Sequence, residues 1–178
     1  LAESKLVQNI SCLMLEANQI GVNGAQSFAT SLNLKNLETL FLDSNPIGPE
    51  GAEALARSTC LPSLSALHMD STGIGDQGVK AIAASQTLSK IEKLYLCSNK
   101  IGDEGAIALS QSPNLSHLTC LSIWRNEIRD AGGKAIAESN YFLKLERLYM
   151  SLNLIEKPTR KLIRTSDMAS RLKTLVMD

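Results

Sequence analysis

The stretch IEKLYLCSNKIGDEGAIALS, residues 91–110, contains the two patterns that decide the fold. Its first six residues follow apolar-x-x-apolar-x-apolar, the alternation typical of a short strand with one buried face. Its last six residues place small and apolar side chains three and four apart, as one face of a helix requires. The stretch therefore predicts a strand followed by a turn and a helix.

The same pattern recurs along the chain with a period of 27 residues. The strand pattern begins seven times, at Ile10, Leu37, Leu64, Ile91, Leu118, Leu145 and Leu172. The pattern specifies three apolar positions in each of the seven units, and all 21 of them are apolar. At this composition, chance would give that result with a probability on the order of 10⁻⁸. A unit this short cannot bury its apolar face alone, so we expect the units to stack on one another.

Further columns recur at fixed places in every unit, and they indicate structure rather than a particular function. An amide follows the strand at Asn18, Asn45, Asn99, Asn126 and Asn153, with Thr72 as the exception. We expect these amides to satisfy buried backbone groups in the turn. Residues that favour the first turn of a helix occur at Pro49, Asp76, Asp103 and Asp130, so we expect helices to begin there.

The motif LxxLxLxxNxIxxxGxxxL describes the units LETLFLDSNPIGPEGAEAL (residues 37–55) and IEKLYLCSNKIGDEGAIAL (residues 91–109). This motif resembles the leucine-rich repeat of the ribonuclease-inhibitor-like class, and the resemblance covers essentially the whole chain. It implies an α/β fold, a right-handed solenoid or horseshoe with a parallel concave sheet, convex helices and a partner protein held in the concavity. The uniform unit with IGDEGA-type turns also resembles repeats of secreted effectors of intracellular bacteria.

The repeats predict a single domain over residues 1–178, with a half repeat at residues 1–9. The chain opens within the helical part of a unit and closes on the strand LKTLVMD, so we expect it to be a fragment of a longer chain. The sixth unit departs from the pattern at Pro158, Thr159 and Arg164. This departure predicts that a C-terminal cap is near.

Composition argues against several classes of partner. Eighteen basic residues balance eighteen acidic ones, so we expect neither nucleic acid nor a membrane surface as the partner. The four cysteines form no CxxC pair, and no P-loop, metalloprotease or dinucleotide motif is present, so we expect no metal and no cofactor. We interpret the cysteines as free thiols in a reducing intracellular compartment, the cytoplasm, or the host cytosol if the protein is a secreted effector.

Function should lie in columns that vary and that point away from the core, namely the third, fifth, seventh and eighth positions of the strand pattern. The fifth column contains Met14, Phe41, His68, Tyr95, Ser122, Tyr149 and Val176. Its large rings, Phe41, Tyr95 and Tyr149, lie two units apart, so we expect them to stand roughly 10 Å from each other in a solvent-exposed row. Trp124, at the seventh position, adds a fourth ring.

Charged residues near this row differ between its two ends. Glu16, Asp43 and Asp70 occupy the seventh position in three successive units, while Lys93, Arg125, Arg147 and Lys173 lie toward the other end. Such polarity would orient a partner and speed its encounter. The predicted partner-binding residues are Met14, Phe41, Asp43, His68, Asp70, Tyr95, Cys97, Trp124, Arg125, Arg147 and Tyr149.

A catalytic role would need a nucleophilic pair, which His68 and Cys97 could form because they fall on neighbouring strands. Asp70 would raise the pKa of the Cys97 thiol, and an open sheet lacks an oxyanion site, so we predict no catalytic residues. We expect a module that binds a partner protein in its concave face and blocks the partner enzyme's active site. The alternative is a recruitment arm of a larger protein, either ubiquitin ligase-like or GTPase-activating. The oligomeric state is left open.

Overall fold

Seven strands form one parallel sheet in chain order in the computed structural model, which describes all residues, 1–178. The strands are β1 Cys12–Met14, β2 Thr39–Phe41, β3 Ala66–His68, β4 Lys93–Tyr95, β5 Cys120–Ser122, β6 Arg147–Tyr149 and β7 Thr174–Val176. Each strand residue pairs with the residue 27 positions later, as Leu67 does with Leu94. The predicted strand period is therefore confirmed in every unit.

Helices connect the strands. They are α1 Val22–Ala29, α2 Gly48–Ala56, α3 Gly75–Ala84, α4 Asp103–Ser110, α5 Asp130–Ala137, α6 Lys157–Arg164 and α7 Asp167–Arg171, with short 3₁₀ turns at Lys5–Val7 and Pro113–Leu115. Neighbouring strands need about 4.8 Å, whereas packed helices need about 8–10 Å. Because each unit adds one strand and one main helix, the stack curves with the sheet on its concave side, as the solenoid prediction requires.

The apolar columns form one core between the sheet and the helices. The strand leucines Leu40, Leu67, Leu94, Leu121 and Leu148 have no exposed surface. In the first and last units, Leu13 and Leu175 are only half-buried, because each has a neighbouring unit on one side only. The prediction that these columns are structural is confirmed.

The amide column joins each turn to the next. Asn99 is buried; its Oδ1 accepts from the backbone N–H of Thr72 at 3.0 Å, and its Nδ2 donates to the carbonyl of Met69 at 2.7 Å. Asn45 and Asn126 bridge neighbouring turns in the same way. No buried side-chain nitrogen or oxygen lacks a hydrogen-bond partner. The expected structural role of the amides is therefore confirmed.

The aspartates at the helix starts act across the unit boundary. Asp76 lies at the start of α3, but its Oδ1 accepts from the backbone N–H groups of Gly102 and Gly105 at the start of α4. Asp103 serves α5 in the same manner. The helices begin where the sequence predicts, and the carboxylates stabilise the next helix in the stack rather than their own.

The sixth unit keeps its helix but changes columns on the packed side of that helix. Arg160 and Arg164 stand in columns that hold small, buried residues in the five preceding units. Their guanidinium groups donate to the carbonyls of Asp178 at 2.8 Å and Met177 at 2.7 Å. At Arg164 the predicted departure is thus the replacement of a small packing residue by a cation, and Arg160 is a second such replacement.

Candidate functional site

Three rings stack across neighbouring strands on the concave face of the sheet. The His68 ring lies 4.0 Å from the Phe41 ring and 4.1 Å from the Tyr95 ring, measured between centroids. The His68 and Tyr95 planes differ by 13°. Parallel register produces this stack, because Phe41, His68 and Tyr95 pair directly with one another along β2, β3 and β4.

The row of rings therefore has no gap between Phe41 and Tyr95. We expected Phe41 and Tyr95 to stand apart, but the imidazole of His68 fills the space between them. All three side chains are half-buried, because each ring covers part of its neighbours. Burial lowers the pKa of His68, and Lys93 acts in the same direction, while Asp70 and Glu16 oppose the shift. The stack thus favours the neutral imidazole.

Tyr95 is held at its tip as well as on one face. The Cys120 thiol lies 3.6 Å from the Tyr95 hydroxyl, which accepts its hydrogen bond. Burial, followed by the interaction with Cys120, raises the pKa of Tyr95 to about 12. Cys120 itself is 1% exposed. The phenol therefore stays protonated at neutral pH and keeps a fixed position above β5.

The row of rings is interrupted at Ser122, which pairs with Tyr95 on one side and Tyr149 on the other. Ser122 is 6% exposed, and its hydroxyl lies 3.0 Å from the Cys97 thiol. Tyr149 is half-buried and stacks on no other ring. The concave face thus consists of a three-ring stack, a gap at Ser122 and a single ring beyond the gap.

The acidic residues of the seventh column hold neighbouring strands together. Asp43 Oδ1 accepts from the backbone N–H of Asp70 at 2.6 Å, and Asp70 Oδ1 accepts from the backbone N–H of Cys97 at the same distance. Burial raises the pKa of Asp43, the hydrogen bond from Asp70 opposes this, and the charges of Asp70 and Glu16 add to it. These carboxylates therefore have a structural role besides their contribution to the charge of the concave face.

The opposite end of the face is basic. Trp124 is 37% exposed, Arg125 is exposed and Arg147 is half-buried. Residues 1–89 contain four basic and eight acidic residues, whereas residues 90–178 contain fourteen basic and ten acidic ones. The first half therefore has a net charge of −4 and the second half a net charge of +4. The concave face likewise changes from acidic at its first strands to basic at its last strands.

The remaining candidates differ in how much surface they offer. Met14 is 65% exposed at the first strand, where no preceding unit covers it. Cys97 is 9% exposed, so its side chain lies beneath the surface formed by its neighbours. Burial is the main cause that raises the pKa of Cys97 to about 11, and Asp70 adds to the shift as the sequence predicted. No hydrogen bond joins His68 to Cys97; the imidazole stacks, and the thiol bonds to Ser122.

Sequence reasoning missed Cys120 and Ser122 as parts of this surface. The sequence identifies Cys120 only as a free thiol, whereas its third position on β5 places it beside the Tyr95 hydroxyl. Ser122 appeared in the fifth column as the only small side chain among larger ones. That contrast was the available signal for a gap in the row of rings.

No group of three or more His, Cys, Asp or Glu side chains is arranged to hold a metal ion. The helices are also too short and too polar for any of them to cross a membrane.

Comparison with protein-family models gives four matches to the family described as Leucine Rich repeat, at residues 32–56, 60–83, 87–110 and 114–137. Together these matches cover more than half of the chain. Each matched segment contains one helix and ends within one residue of that helix's last residue, so the family unit and the structural unit agree. No curated protein matches the chain.

Proposed function

The chain belongs to the leucine-rich repeat family, and we propose that it binds a partner protein through the concave face of its sheet. Leucine-rich repeats are generally protein–protein interaction modules. The observation that carries the proposal is the row of aromatic rings at Phe41, Tyr95, Trp124 and Tyr149 on the sheet face opposite the helices. Core packing does not need these rings, because the aliphatic columns already fill the space between sheet and helices.

The rings are suited to anchor a partner. Aromatic side chains supply large contact areas with few rotatable bonds, and they dominate the binding energy of many interfaces. The stack at Phe41, His68 and Tyr95 reduces their freedom further, because each ring is held by the next. A partner would therefore meet a surface that is already ordered, which lowers the entropy cost of association.

Charge at the two ends of the face would set the partner's direction. Asp43 and Asp70 lie at the end where acidic residues prevail, and Arg125 and Arg147 lie at the other. A partner with the opposite arrangement would be steered into one orientation, and the wrong orientation would bring like charges together.

The finer proposal is that the protein belongs to the ribonuclease-inhibitor-like class and blocks a partner enzyme by covering its active site. A full helix of eight to ten residues in each of the first five units supports this class. The proposed place of action is a reducing compartment such as the cytoplasm, and all four cysteines are free thiols.

The experiment that tests the face compares two double variants in a pull-down. Tyr95→Ala with Trp124→Ala removes two anchors, and Gln77→Ala with Gln111→Ala removes exposed side chains on the helical side. We expect the first pair to weaken capture of the partner by about 2 kcal/mol or more and the second pair to leave capture unchanged. Loss of the partner only in the helical-side variant would assign binding to the other face.

An activity assay of the captured protein then tests inhibition. Addition of the wild-type module should abolish the partner's activity in proportion to the fraction bound, and the Tyr95→Ala, Trp124→Ala variant should not. A partner that is bound but fully active would contradict inhibition and favour the recruitment alternative.

A further inference from the structure

Three columns of the repeat join each main helix to the helix of the following unit. In the first column, Asp76 and Asp103 accept hydrogen bonds from backbone N–H groups at the start of the next helix. The other two columns hold small, buried residues; a Cβ added at Gly132, for example, would lie 2.8 Å from the Cβ of Ala106. In α6 the same three columns hold cations, namely Lys157, Arg160 and Arg164. This side of α6 therefore lacks the acceptor and the small side chains that attach one helix to the next.

Lys161 adds a fourth cation on the same side of α6. The four cations are spaced three and four residues apart, so they form one stripe, the cationic face, that extends for about 10 Å along the helix. Like charges at these spacings repel each other and destabilise a helix. Cations also suit the last turn of a helix but not its first turn, where Lys157 and Arg160 lie and where α6 has no acidic residue. The stability of the helix itself therefore does not explain the stripe.

No carboxylate of the protein forms an ion pair with the cationic face. Arg160 and Arg164 donate to backbone carbonyls, which holds their guanidinium groups in place without neutralising their charge. The carboxylate of the nearby Asp178 accepts from the backbone N–H of Leu152 at 3.0 Å. One open depression, with no apolar side chain in its lining, is lined by Lys157, Arg160, Lys161, Arg164, Thr165 and Asp178. The depression is therefore suited to anionic groups, and two of its cations are already positioned.

We propose that the cationic face of α6 is a second interaction surface and that it binds an acidic segment of a partner protein. Charge complementarity favours this occupant, because α6 has four basic and no acidic residues and none of these charges is paired within the protein. Guanidinium groups such as those of Arg160 and Arg164 are also well suited to carboxylates. This surface lies on a helix rather than on the sheet, so the inference goes beyond the concave-face proposal and does not rest on it.

An acidic protein segment fits the cationic face better than other polyanions do. An extended segment places alternate side chains about 7 Å apart on one side, so two or three carboxylates match a stripe of about 10 Å. A nucleic acid binds through many phosphate contacts, and the chain as a whole has no net charge to provide them. A membrane surface takes up apolar side chains beside the cations, and no apolar side chain lines the depression.

Two synthetic peptides test the ligand chemistry: Gly-Asp-Glu-Asp-Glu-Asp-Gly, and Gly-Asn-Gln-Asn-Gln-Asn-Gly, in which amides replace the carboxylates. Binding is followed by nuclear magnetic resonance of the backbone N–H groups of α6. We expect the acidic peptide to shift these signals, with an affinity that falls as salt is added, and the amide peptide to leave them unchanged. No shift with the acidic peptide, or equal shifts with both peptides, would contradict the proposal.

Two pairs of substitutions locate the site. Lys157→Gln with Lys161→Gln removes two exposed charges from the cationic face, and Lys100→Gln with Lys134→Gln removes two exposed charges elsewhere. Lys134 is a close match, because it occupies in α5 the column that Lys161 occupies in α6. We expect the first pair to weaken binding of the acidic peptide by about tenfold and the second pair to change it by less than about twofold. Equal weakening by both pairs would assign binding to net charge and overturn the proposal.

Other anionic surfaces are tested in the same way. Vesicles of phosphatidylcholine with about 30% phosphatidylserine, and a short DNA duplex, should not change the α6 signals at a salt concentration at which the acidic peptide binds. Tighter binding of either one would overturn the proposal in favour of a membrane or a nucleic acid. The peptide assay does not involve the sheet, so a failure of this inference is distinguishable from a failure of the concave-face proposal.

Discussion

The carboxylate of Asp76 accepts a hydrogen bond from the backbone N–H of Gly105, 29 residues later in the chain, at 2.9 Å. The same oxygen accepts from Gly102 at 2.7 Å, so one side chain of α3 satisfies two free N–H groups at the start of α4. The contact also explains why position 105 is glycine. A Cβ there would lie 2.5 Å from Asp76 Oδ1 and 2.8 Å from Ile101 Cγ2.

Asp76→Ala should therefore destabilise the protein through α4, although residue 76 belongs to α3. We expect a loss of about 1–2 kcal/mol in the free energy of unfolding, the usual effect of removing a helix cap. Urea denaturation measures this loss, and hydrogen exchange at residues 103–106 should increase. Gln77→Ala, an exposed neighbour on the same helix, is the control. Faster exchange at the start of α3 alone would contradict a cap that acts across units.

Asn99→Ala should cost more than the loss of a cap, because the amide is buried and serves backbone groups in two turns. Its removal leaves the N–H groups of Thr72 and Gly73 without their acceptor, while the carbonyl of Met69 keeps the hydroxyl of Thr72 as a donor. We expect a loss of about 3 kcal/mol or more in the free energy of unfolding.

Asn18→Ala is the matched control for Asn99→Ala. Asn18 occupies the same column in the first unit but is exposed, and its Nδ2 bonds only to carbonyls of its own turn. Water can replace those bonds, so we expect a loss below about 1 kcal/mol. Equal losses in the two variants would show that burial of the amide does not determine its contribution.

The sequence was sufficient to predict which residues occupy each repeated column, but not which contacts the side chains of neighbouring units make. A period of 27 residues determines which strand residues pair, so the register at Leu67 and Leu94 could be predicted. The stack at His68 could not, because it depends on how far side chains lean from one strand toward the next. The direction of the Asp76 carboxylate is a similar case, since the sequence shows that a helix start needs an acceptor but not which helix receives it.

Backbone conformation at the eighth position was also beyond the sequence. Six units have a left-handed residue there, with φ between 54° and 58°, at Ala17, Ser44, Ser71, Ser98, Arg125 and Leu152. Glycine is the usual residue for this conformation, and none of the six is glycine. The structural amide at the following position, as at Asn126, bonds back to the carbonyls of Ile123 and Trp124 and so helps hold the turn.

Stability should fall when the pH is lowered through the titration of His68. Burial holds the pKa of this imidazole below its ordinary value of 6.5, so the folded protein binds the proton less readily than the unfolded chain. The stability that this group contributes is present above pH 6.5 and is lost as the pH falls through the lower pKa of the folded state. The charges that face it are Asp70, Glu16 and Lys93. Urea denaturation at pH 7.5 and at pH 5.0 measures the change in the free energy of unfolding. These two values lie roughly one unit or more on either side of the ordinary pKa.

His68→Phe keeps a ring between Phe41 and Tyr95 and cannot titrate, so its stability should decline less over the same pH range. His117→Gln, at an exposed site, should behave like the wild type. A decline that is as large in His68→Phe as in the wild type would assign the pH dependence to other groups.

The two thiols beneath the concave face should resist alkylation. Cys97 is 9% exposed, and its pKa is raised to about 11, so at pH 8 only about one thiol in a thousand is in the reactive thiolate form. Cys120 is 1% exposed. Mass spectrometry after treatment with iodoacetamide should therefore show modification of the exposed Cys12 long before Cys97 or Cys120. Rapid modification of Cys97 in folded protein would contradict the packing of the Ser122 gap.

Asp43→Asn separates the two roles of the acidic column, because it keeps an oxygen acceptor for the Asp70 N–H and removes the charge. Burial raises the pKa of Asp43 in the folded protein, so ionisation of this carboxyl at neutral pH works against folding. The stability that the group contributes is present below its ordinary pKa of 3.8 and is lost as the pH rises through the raised pKa of the folded state. The variant should therefore be at least as stable as the wild type at pH 7 by urea denaturation.

Association with the partner should nevertheless become slower and less dependent on salt, because a steering charge has been removed. Slower association with unchanged stability would assign the charge of Asp43 to the partner, whereas lower stability with unchanged association would assign it to the sheet alone.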